Sequence, residues 1–461
     1  VTKATARPAK SARGEQAAGA EPGIRVLLTL LAVTLLGTVC NNVVNVALRD
    51  LSGDLGVPLS SGVLAVSAFV LVLAATMPVM GWVGDRFGRK RTLVAAQVLL
   101  LAGVAGAALA PSLPVLVVSR ALQGLGCAAA PPCVMGMLAS LYGPARRNRT
   151  MGLWAAANGI GQALGPPLGG LVAGSWGWRG IFWVLVPVSA LLVMALAWLV
   201  PGEAPRRAGL HWPGAVAFTT ATALLMTAVA VAPVGALPGW APATLAGAGA
   251  AGLAVFVLVS RRTADPFVPP ALLAEPRFLR SGVAACAQMF CLGATLVALP
   301  LHVTGALGRS TAVAGILVFA LPATMAVLAA VVGWLTERTR PRLVLRAGLV
   351  TLVLAQAGLG LFTAAGTAGL GWLGALLVVA GAGVALVQTP AAAGATRSTD
   401  GRAGSALGVF NTLRFGGATL GTVWAGFFYS QDLPAVLFGG CAVFALLALL
   451  VSFAGRNPDA S

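Results

Sequence analysis

What most constrains this chain is a series of fourteen apolar runs, each close to the ~20 helical residues that cross a bilayer core of roughly 30 Å. They fall at 24–48, 61–83, 92–110, 115–140, 150–174, 180–200, 213–232, 241–260, 278–301, 311–335, 342–364, 369–396, 404–428 and 435–455, separated by short polar breaks. Only 9% of the 461 residues are charged and 58% are hydrophobic, too little charge to clothe a soluble globule of this size. Lipid offers backbone groups no partner outside a helix or a closed barrel, so runs of this length predict an all-α integral membrane protein.

Basic residues tallied on alternate sides of the spans number 25 on one side and three (Arg49, Arg179, Arg309) on the other. The excess predicts that side, and with it both termini, in the cytoplasm of a plasma membrane, and it accounts for the net charge of +18 without nucleic acid as a partner. Residues 1–23, polar and rich in Ala, Lys and Arg, are expected to form a disordered cytoplasmic tail, and 456–461 a second, shorter one. Cys40, Cys127, Cys133, Cys286, Cys291 and Cys441 lie inside apolar runs with no CxxC spacing and no neighbouring histidine, as small core residues would. His211 and His302 are far apart and lack nucleophile or metal partners, and no GxxxxGK(S/T) phosphate loop occurs. Neither an enzyme, a cofactor nor direct ATP drive is indicated.

The sequence repeats weakly at an offset of 252: Gly81-Trp82 recurs as Gly333-Trp334, Asp85-Arg86 as Glu337-Arg338, Gly152 as Gly404, Gly165 as Gly417 and Gly169 as Gly421. Two like-oriented six-helix bundles, 24–200 and 278–455, with two inserted helices in 201–277, reproduce that offset. Parallel repeats of this kind enclose a substrate passage between them.

Three motifs carry more detail. The loop after span 2 holds Gly81, Gly84, Asp85, Arg86, Gly88 and Arg89, followed by Lys90 and Arg91. A carboxylate among these cations can pair locally and also meet the positive N-terminal end of a helix from the other half. Span 4 reads Arg120-Ala-Leu-Gln123-Gly124-Leu-Gly126. A guanidinium about 8 Å inside a membrane helix is costly, and it either faces the passage or snorkels to the outer interface. Span 5 carries Gly152, Gly161, Gly165, Pro166, Gly169 and Gly170, an ordered pattern of close-packing glycines around a helix-bending proline pair.

These stretches resemble, in turn, the gating signature, the RxxQGxG segment and the antiporter signature of the major facilitator superfamily. Together with Trp178-Arg179 and the stretches 299–302, 308–310 and 411–417, they make the chain, from span 1 to span 14, similar to the fourteen-helix drug:proton antiporter branch. The resemblance implies a major facilitator fold, export of a small molecule by alternating access, and a latch from Asp85 to span 13 near Gly404 that favours the outward-open state.

One departure bears on cargo. The branch pattern in span 1, LDxTIVNVAL, has Cys40 at the acidic position and Asn42 at the threonine, and none of the twelve acidic residues lies deep in a span. Asn41, Asn42 and Asn45 would cover about 100° of one helical face at the depth of Arg120. We expect them to offer Arg120 neutral acceptors and leave a positive outer cavity; the other reading is a cluster of amides that packs helices. Toward the midplane, Asn158, Gln162, Gln288, Asn411 and Arg414, with Trp154 and Phe290 as apolar wall, are expected to line the passage. A positive passage suits neutral or anionic amphipaths such as antibiotics or other secondary metabolites. Arginine cannot release a proton, so the candidate proton carriers are His302, Asp50 and Asp85. The expected protein is a monomer in a lipid bilayer, with a small-molecule substrate and protons as its partners. The alternatives are a uniporter or differently coupled carrier, and a receptor or scaffold that moves nothing.

Overall fold

The structure, a computed structural model, describes residues 23–203, 211–231, 238–263, 266–365, 369–397, 403–431 and 433–455. Both expected tails lie outside the described residues, apart from Gly23. In chain order the helices are α1 (Ile24–Asn42), α2 (Leu48–Asp54), α3 (Leu59–Phe87), α4 (Arg89–Ala108), α5 (Leu113–Ala128), α6 (Ala130–Leu141), α7 (Gly143–Leu199), α8 (Trp212–Val231), α9 (Ala241–Arg261), α10 (Pro270–Leu273), α11 (Pro276–Gly305), α12 (Thr311–Arg338), α13 (Pro341–Ala365), α14 (Leu370–Ala395), α15 (Ala403–Ser430) and α16 (Pro434–Val451).

Among the described residues, twelve helices are long and apolar enough to cross a membrane, with α5 and α6 together making one of them. One of the twelve, α7, has 57 residues. As a single rod it would reach about 85 Å. The backbone leaves helical geometry at Gly177 (φ 72, ψ 172), a left-handed conformation that glycine adopts at no steric cost, so α7 is two crossings joined there. Counting both arms and the 28-residue α15 gives fourteen crossings. Leu171, Trp198, Ile316, Val327 and Leu361 are exposed on α7, α12 and α13, as suits side chains solvated by lipid.

Glycines set how the helices meet. Gly161, Gly165 and Gly169, one helical turn apart on α7, lie against α1; an added Cβ would meet Thr38 at 2.7 Å, Asn42 at 2.8 Å and the carbonyl of Val43. In the second half, Gly417 and Gly421 of α15 lie in the same way against the carbonyls of Cys286 and Phe290 on α11. Without side chains in between, the backbones approach closely and gain dispersion contact that larger residues would forbid. The repeat seen in sequence is thus a repeat of packing.

Two further glycine pairs join the halves. Gly81 of α3 faces the carbonyl of Gly404 on α15, and Gly152 of α7 lies against Gly333 of α12, where a Cβ would sit 2.8 Å from the Gly333 Cα. The offset of 252 turns Gly81 into Gly333 and Gly152 into Gly404, so a pseudo-twofold operation exchanges the two contacts. Both pairs are at the arginine-rich end of the bundle.

The inserted helices α8 and α9 pack on each other, and α8 also leans on α3 and α15, one helix from each half. His211 accepts a hydrogen bond from Gly214 N (3.2 Å) at the start of α8 and touches Thr263 Oγ1 (3.3 Å) after α9. It staples this pair together.

The first span differs from expectation. Helix α1 stops at Asn42 instead of continuing to residue 48. Asn42 Nδ2 donates back to the Thr38 carbonyl (2.8 Å), and turn-type bonds follow from Asn45 N to Asn42 O (3.3 Å) and from Ala47 N to Val44 O (3.1 Å). Asparagine side chains compete for backbone groups, and the β-branched pair Val43-Val44 adds no helical preference to resist them. The helix ends at Asn42, so Asn45 lies beyond it and the three asparagines do not share one helical face.

Candidate transport gate and central polar cluster

At the arginine-rich end a contact between the two halves is built on Asp85. Its Oδ2 accepts from Gly404 N at 2.7 Å, at the first turn of α15, where unsatisfied N–H groups and the helix dipole favour an anion. Its Oδ1 accepts from Arg89 Nη2 at 3.3 Å, and both side chains are almost wholly buried. Arg89 also reaches Glu203 Oε2 (3.5 Å), whose other oxygen accepts from Ser140 Oγ at 2.6 Å. Gly88, at φ 93, makes the break between α3 and α4 that lets Arg89 turn back, and Gly84 leaves room beside the Cys133 sulfur. Arg86 is exposed. The pseudo-symmetric counterpart is Glu337, whose Oε1 accepts from Arg149 N at 2.9 Å, with Asn148 Nδ2 donating to Thr336 O (3.3 Å) beside it. Glu203 was not legible as part of this cluster, because its sequence context is an ordinary polar connection.

Arg120 does not pair with the amides. It is fully buried, and its Nε donates to Ala65 O (3.2 Å) while Nη1 donates to Cys40 O (3.1 Å) and Gln123 Oε1 (2.7 Å). Gln123 Nε2 in turn donates to Gly103 O (2.8 Å), and the guanidinium lies 4.4 Å above the centre of the Phe69 ring. Arg120 joins α1, α3 and α5 of one half, and Gln123 extends the cluster to α4. The expected positive outer cavity is not formed by Arg120, since carbonyl dipoles and a ring face enclose it. Asn41 and Asn42 are half-buried and Asn45 is exposed.

The central cluster lies elsewhere. Arg414, about 17 Å along α15 from Ala403, is buried against the Trp154 ring of α7 (5.0 Å to its centre) and the Phe415 ring (5.6 Å). Its Nη2 donates to Gln388 Oε1 of α14 at 3.4 Å, and Gln288 Nε2 of α11 donates to the same oxygen at 3.4 Å. One turn before Arg414, Asn411 Nδ2 bonds its own Leu407 carbonyl (2.8 Å) and reaches the Met135 sulfur of α6 (3.4 Å). Both halves contribute: α6 and α7 from the first, α11, α14 and α15 from the second. Gln388 and Met135 were missed in the sequence, although a lone glutamine in the apolar run of α14 was a usable signal.

The other anticipated passage residues divide. Asn158 bonds Thr38 Oγ1 (3.3 Å) and the Trp154 carbonyl (3.1 Å), tying α7 to α1, and Gln162 is half-buried on the same helix. Phe290 is not a passage wall: it sits inside the second half among Trp424 (5.9 Å), Phe444 (4.9 Å) and the Gly421 backbone contact. Gly421 lets the α15 backbone approach the Phe290 backbone, while the Phe290 ring packs on Trp424 and Phe444. Pro166 is exposed and Gly170 lies beside Val46. His302 is buried near the end of α11, and Asp50 is exposed on α2.

The end opposite the arginines has its own staple. Asp54 accepts from Trp178 Nε1 (3.1 Å) and from Arg179 Nη1, while Arg179 Nη2 caps the Ala110 carbonyl at 2.8 Å. The bonds from Arg179, then from Trp178, hold the Asp54 carboxyl below its ordinary value of 3.8. Back at the arginine-rich end, an opening is lined by Asn148, Arg277, Arg280, Arg342 and Arg397. Burial, then Arg397 and Arg277, lower the pKa of nearby Arg147.

Known families account for this architecture. The chain matches the Major Facilitator Superfamily over residues 30–422 and, in a second match, over 281–461. It belongs to the Major Facilitator Superfamily. Among superfamily relatives, the "Drug efflux pump JefA" of Mycobacterium tuberculosis is 31% identical over 424 residues, covering 87% of this chain and 81% of that one. The "Puromycin resistance protein pur8" of Streptomyces alboniger is 31% identical over 86% of this chain and 79% of its own length. The "Multidrug resistance protein Stp" of Mycobacterium tuberculosis is 29% identical over 86% and 74%. Of solved superfamily structures, the human organic anion transporter MFSD10 (TETRAN) superposes with TM-score 0.71 at 19% identity over 93% of this chain and 99% of that one, which shows the fold. The chain is a multi-pass transporter of this superfamily and not an enzyme.

Proposed function

We propose that this transporter exports small amphipathic organic compounds, neutral or anionic, across the plasma membrane by alternating access, with the arginine-rich end and both termini in the cytoplasm. The observation that carries the reading is the doubled seal at that end. Each half presents an acid, Asp85 or Glu337, to a backbone N–H of the other, beside a glycine–glycine contact. Such a seal rests on few polar bonds around close backbone contacts, so it can part as a unit. Above it stands a polar cluster drawn from both halves. Export is supported by the names of the relatives, an efflux pump and resistance proteins, and by the ordered glycine pattern from Gly152 to Gly170.

Proton antiport belongs to this proposal, with His302, Asp50 and Asp85 as candidate carriers. A second reading, a uniporter or differently coupled carrier, is favoured by the absence of any carboxylate deep in a span. The test is accumulation of a panel of fluorescent dyes and puromycin in cells with and without the protein, repeated after the proton gradient is collapsed. Antiport predicts lower accumulation that is reversed by the collapse. Lower accumulation that persists selects the second reading, and equal accumulation of every compound refutes export.

A further inference from the structure

Arg120 and Arg414 are both buried side chains, at 0% and 2% exposure, but their surroundings differ. Arg120 spends Nε and Nη1 on three acceptors. Arg414 makes one long bond to Gln388, and its Nε and Nη1 make none within the protein. The Trp154 indole N–H beneath it and Gln388 Nε2 are likewise buried without acceptors. These unpaired donors come from both halves; buried acceptors without donors, Gln288 Oε1 and Asn411 Oδ1, share the cluster but carry no charge.

No described acid answers them. Asp50, Asp54, Asp85, Glu203, Glu275 and Glu337 all lie near helix ends or in connections, and the remaining six acidic residues fall in tails or loops of the sequence. A buried cation with missing bonds is tolerated where a partner of opposite charge arrives during the working cycle. Resting on the transport reading, we propose that Arg414 anchors the carboxylate of the cargo, with the Trp154 indole N–H as a second donor from the opposite half. A carboxylate's two oxygens match planar guanidinium donors, and the Trp154 and Phe415 rings give the cargo's apolar body a surface that a halide does not need. The offset of 252 pairs Arg414 with Gln162, so only the second half carries a charge and the site orients its ligand. The cargo class is thereby narrowed to amphipathic carboxylates.

The experiment is equilibrium dialysis of the full-length protein in nanodiscs, in gluconate buffer at neutral pH. The probes are three matched pairs: 9-anthracenecarboxylate and 9-anthracenemethanol, 1-naphthylacetate and its amide, indole-3-acetate and its amide. At least one carboxylate is expected to bind tenfold or more tightly than its neutral partner. Arg414→Gln abolishes that preference, Arg414→Lys keeps part of it, and Trp154→Phe, which retains a ring but loses the N–H, reduces it several-fold. Equal binding within every pair, or a preference that survives Arg414→Gln, overturns the proposal. If Arg414→Gln does not fold, an unaltered preference in both Arg414→Lys and Trp154→Phe overturns it equally. Replacing gluconate by physiological chloride separates the sources of negative charge: displacement of the carboxylates by chloride marks a halide site and refutes a carboxylate anchor. A protein that lowers accumulation of neutral compounds in cells but fails here keeps the export reading and loses this one.

Discussion

Asp85 and Glu337, 252 positions apart, each accept a backbone N–H of the other half: Asp85 that of Gly404 at 2.7 Å, and Glu337 that of Arg149 at 2.9 Å. The two halves hold each other by one acid apiece. Their surroundings are unequal, because Asp85 is buried with Arg89 beside it and Glu337 is exposed.

That inequality predicts unequal mutants. A buried charged hydrogen bond contributes about 1.5–3 kcal/mol, so Asp85→Asn should shift the equilibrium toward opening by about tenfold to a hundredfold. An exposed one contributes roughly 0–1 kcal/mol, so Glu337→Gln should shift it less than about fivefold. Labelling of Ser405→Cys, itself buried at the seal, by a membrane-impermeant maleimide in inside-out vesicles measures both, and equal rates in the two mutants would refute the asymmetry.

Gly152 and Gly333 leave no room for a side chain where α7 meets α12. Gly152→Leu should hold this end apart, abolish transport and raise maleimide access, while leaving the protein monodisperse on size-exclusion chromatography. Gly174, with nothing within 4 Å of an added Cβ, is the control: Gly174→Ala should transport like the wild type.

Arg120 acts as a fastener for α1, α3 and α5. Arg120→Ala leaves the buried Cys40 carbonyl and Gln123 Oε1 without this donor and should destabilise the protein by at least about 2 kcal/mol. Arg120→Lys should recover less than half, since an ammonium cannot span the same acceptors. Asn42→Ala, which loses only the bond to Thr38 O, should cost less than about 1 kcal/mol. Thermal unfolding in detergent checks the order.

Asp54 gives a pH dependence with a defined sign. Its folded pKa lies below the ordinary 3.8, so its contribution is fully present above that value and is lost as pH falls through the folded pKa. The difference in unfolding temperature between wild type and Asp54→Asn should stay flat from about pH 5 to 8 and shrink only below the ordinary value. A difference that changes within the neutral range would show that another group controls this staple.

Much of the architecture was legible because hydropathy alone decides what can cross lipid. The span count, the inserted pair and the Gly81 and Gly152 repeats follow from residues whose role depends on length and size. The end of α1 was hidden by the apolar Val43-Val44 that continues the run past Asn42. Arg120's partners were hidden for another reason: two of its three acceptors are backbone carbonyls, Cys40 and Ala65, which every residue possesses. The place of Phe290 was hidden because an aromatic side chain carries no mark of which face it will find, and here the ring packs on Trp424 and Phe444.

The most direct measurement of the central claim is pulsed EPR between spin labels across the arginine-rich end, at Phe87→Cys on α3 and Leu343→Cys on α13, both exposed sites. A Cys286→Ala background removes the one native cysteine that is not fully buried. The account predicts two distance populations, the longer one enriched by Asp85→Asn and further by the double mutant with Glu337→Gln. A single distance distribution, unchanged by either mutation and by added substrate, would contradict it.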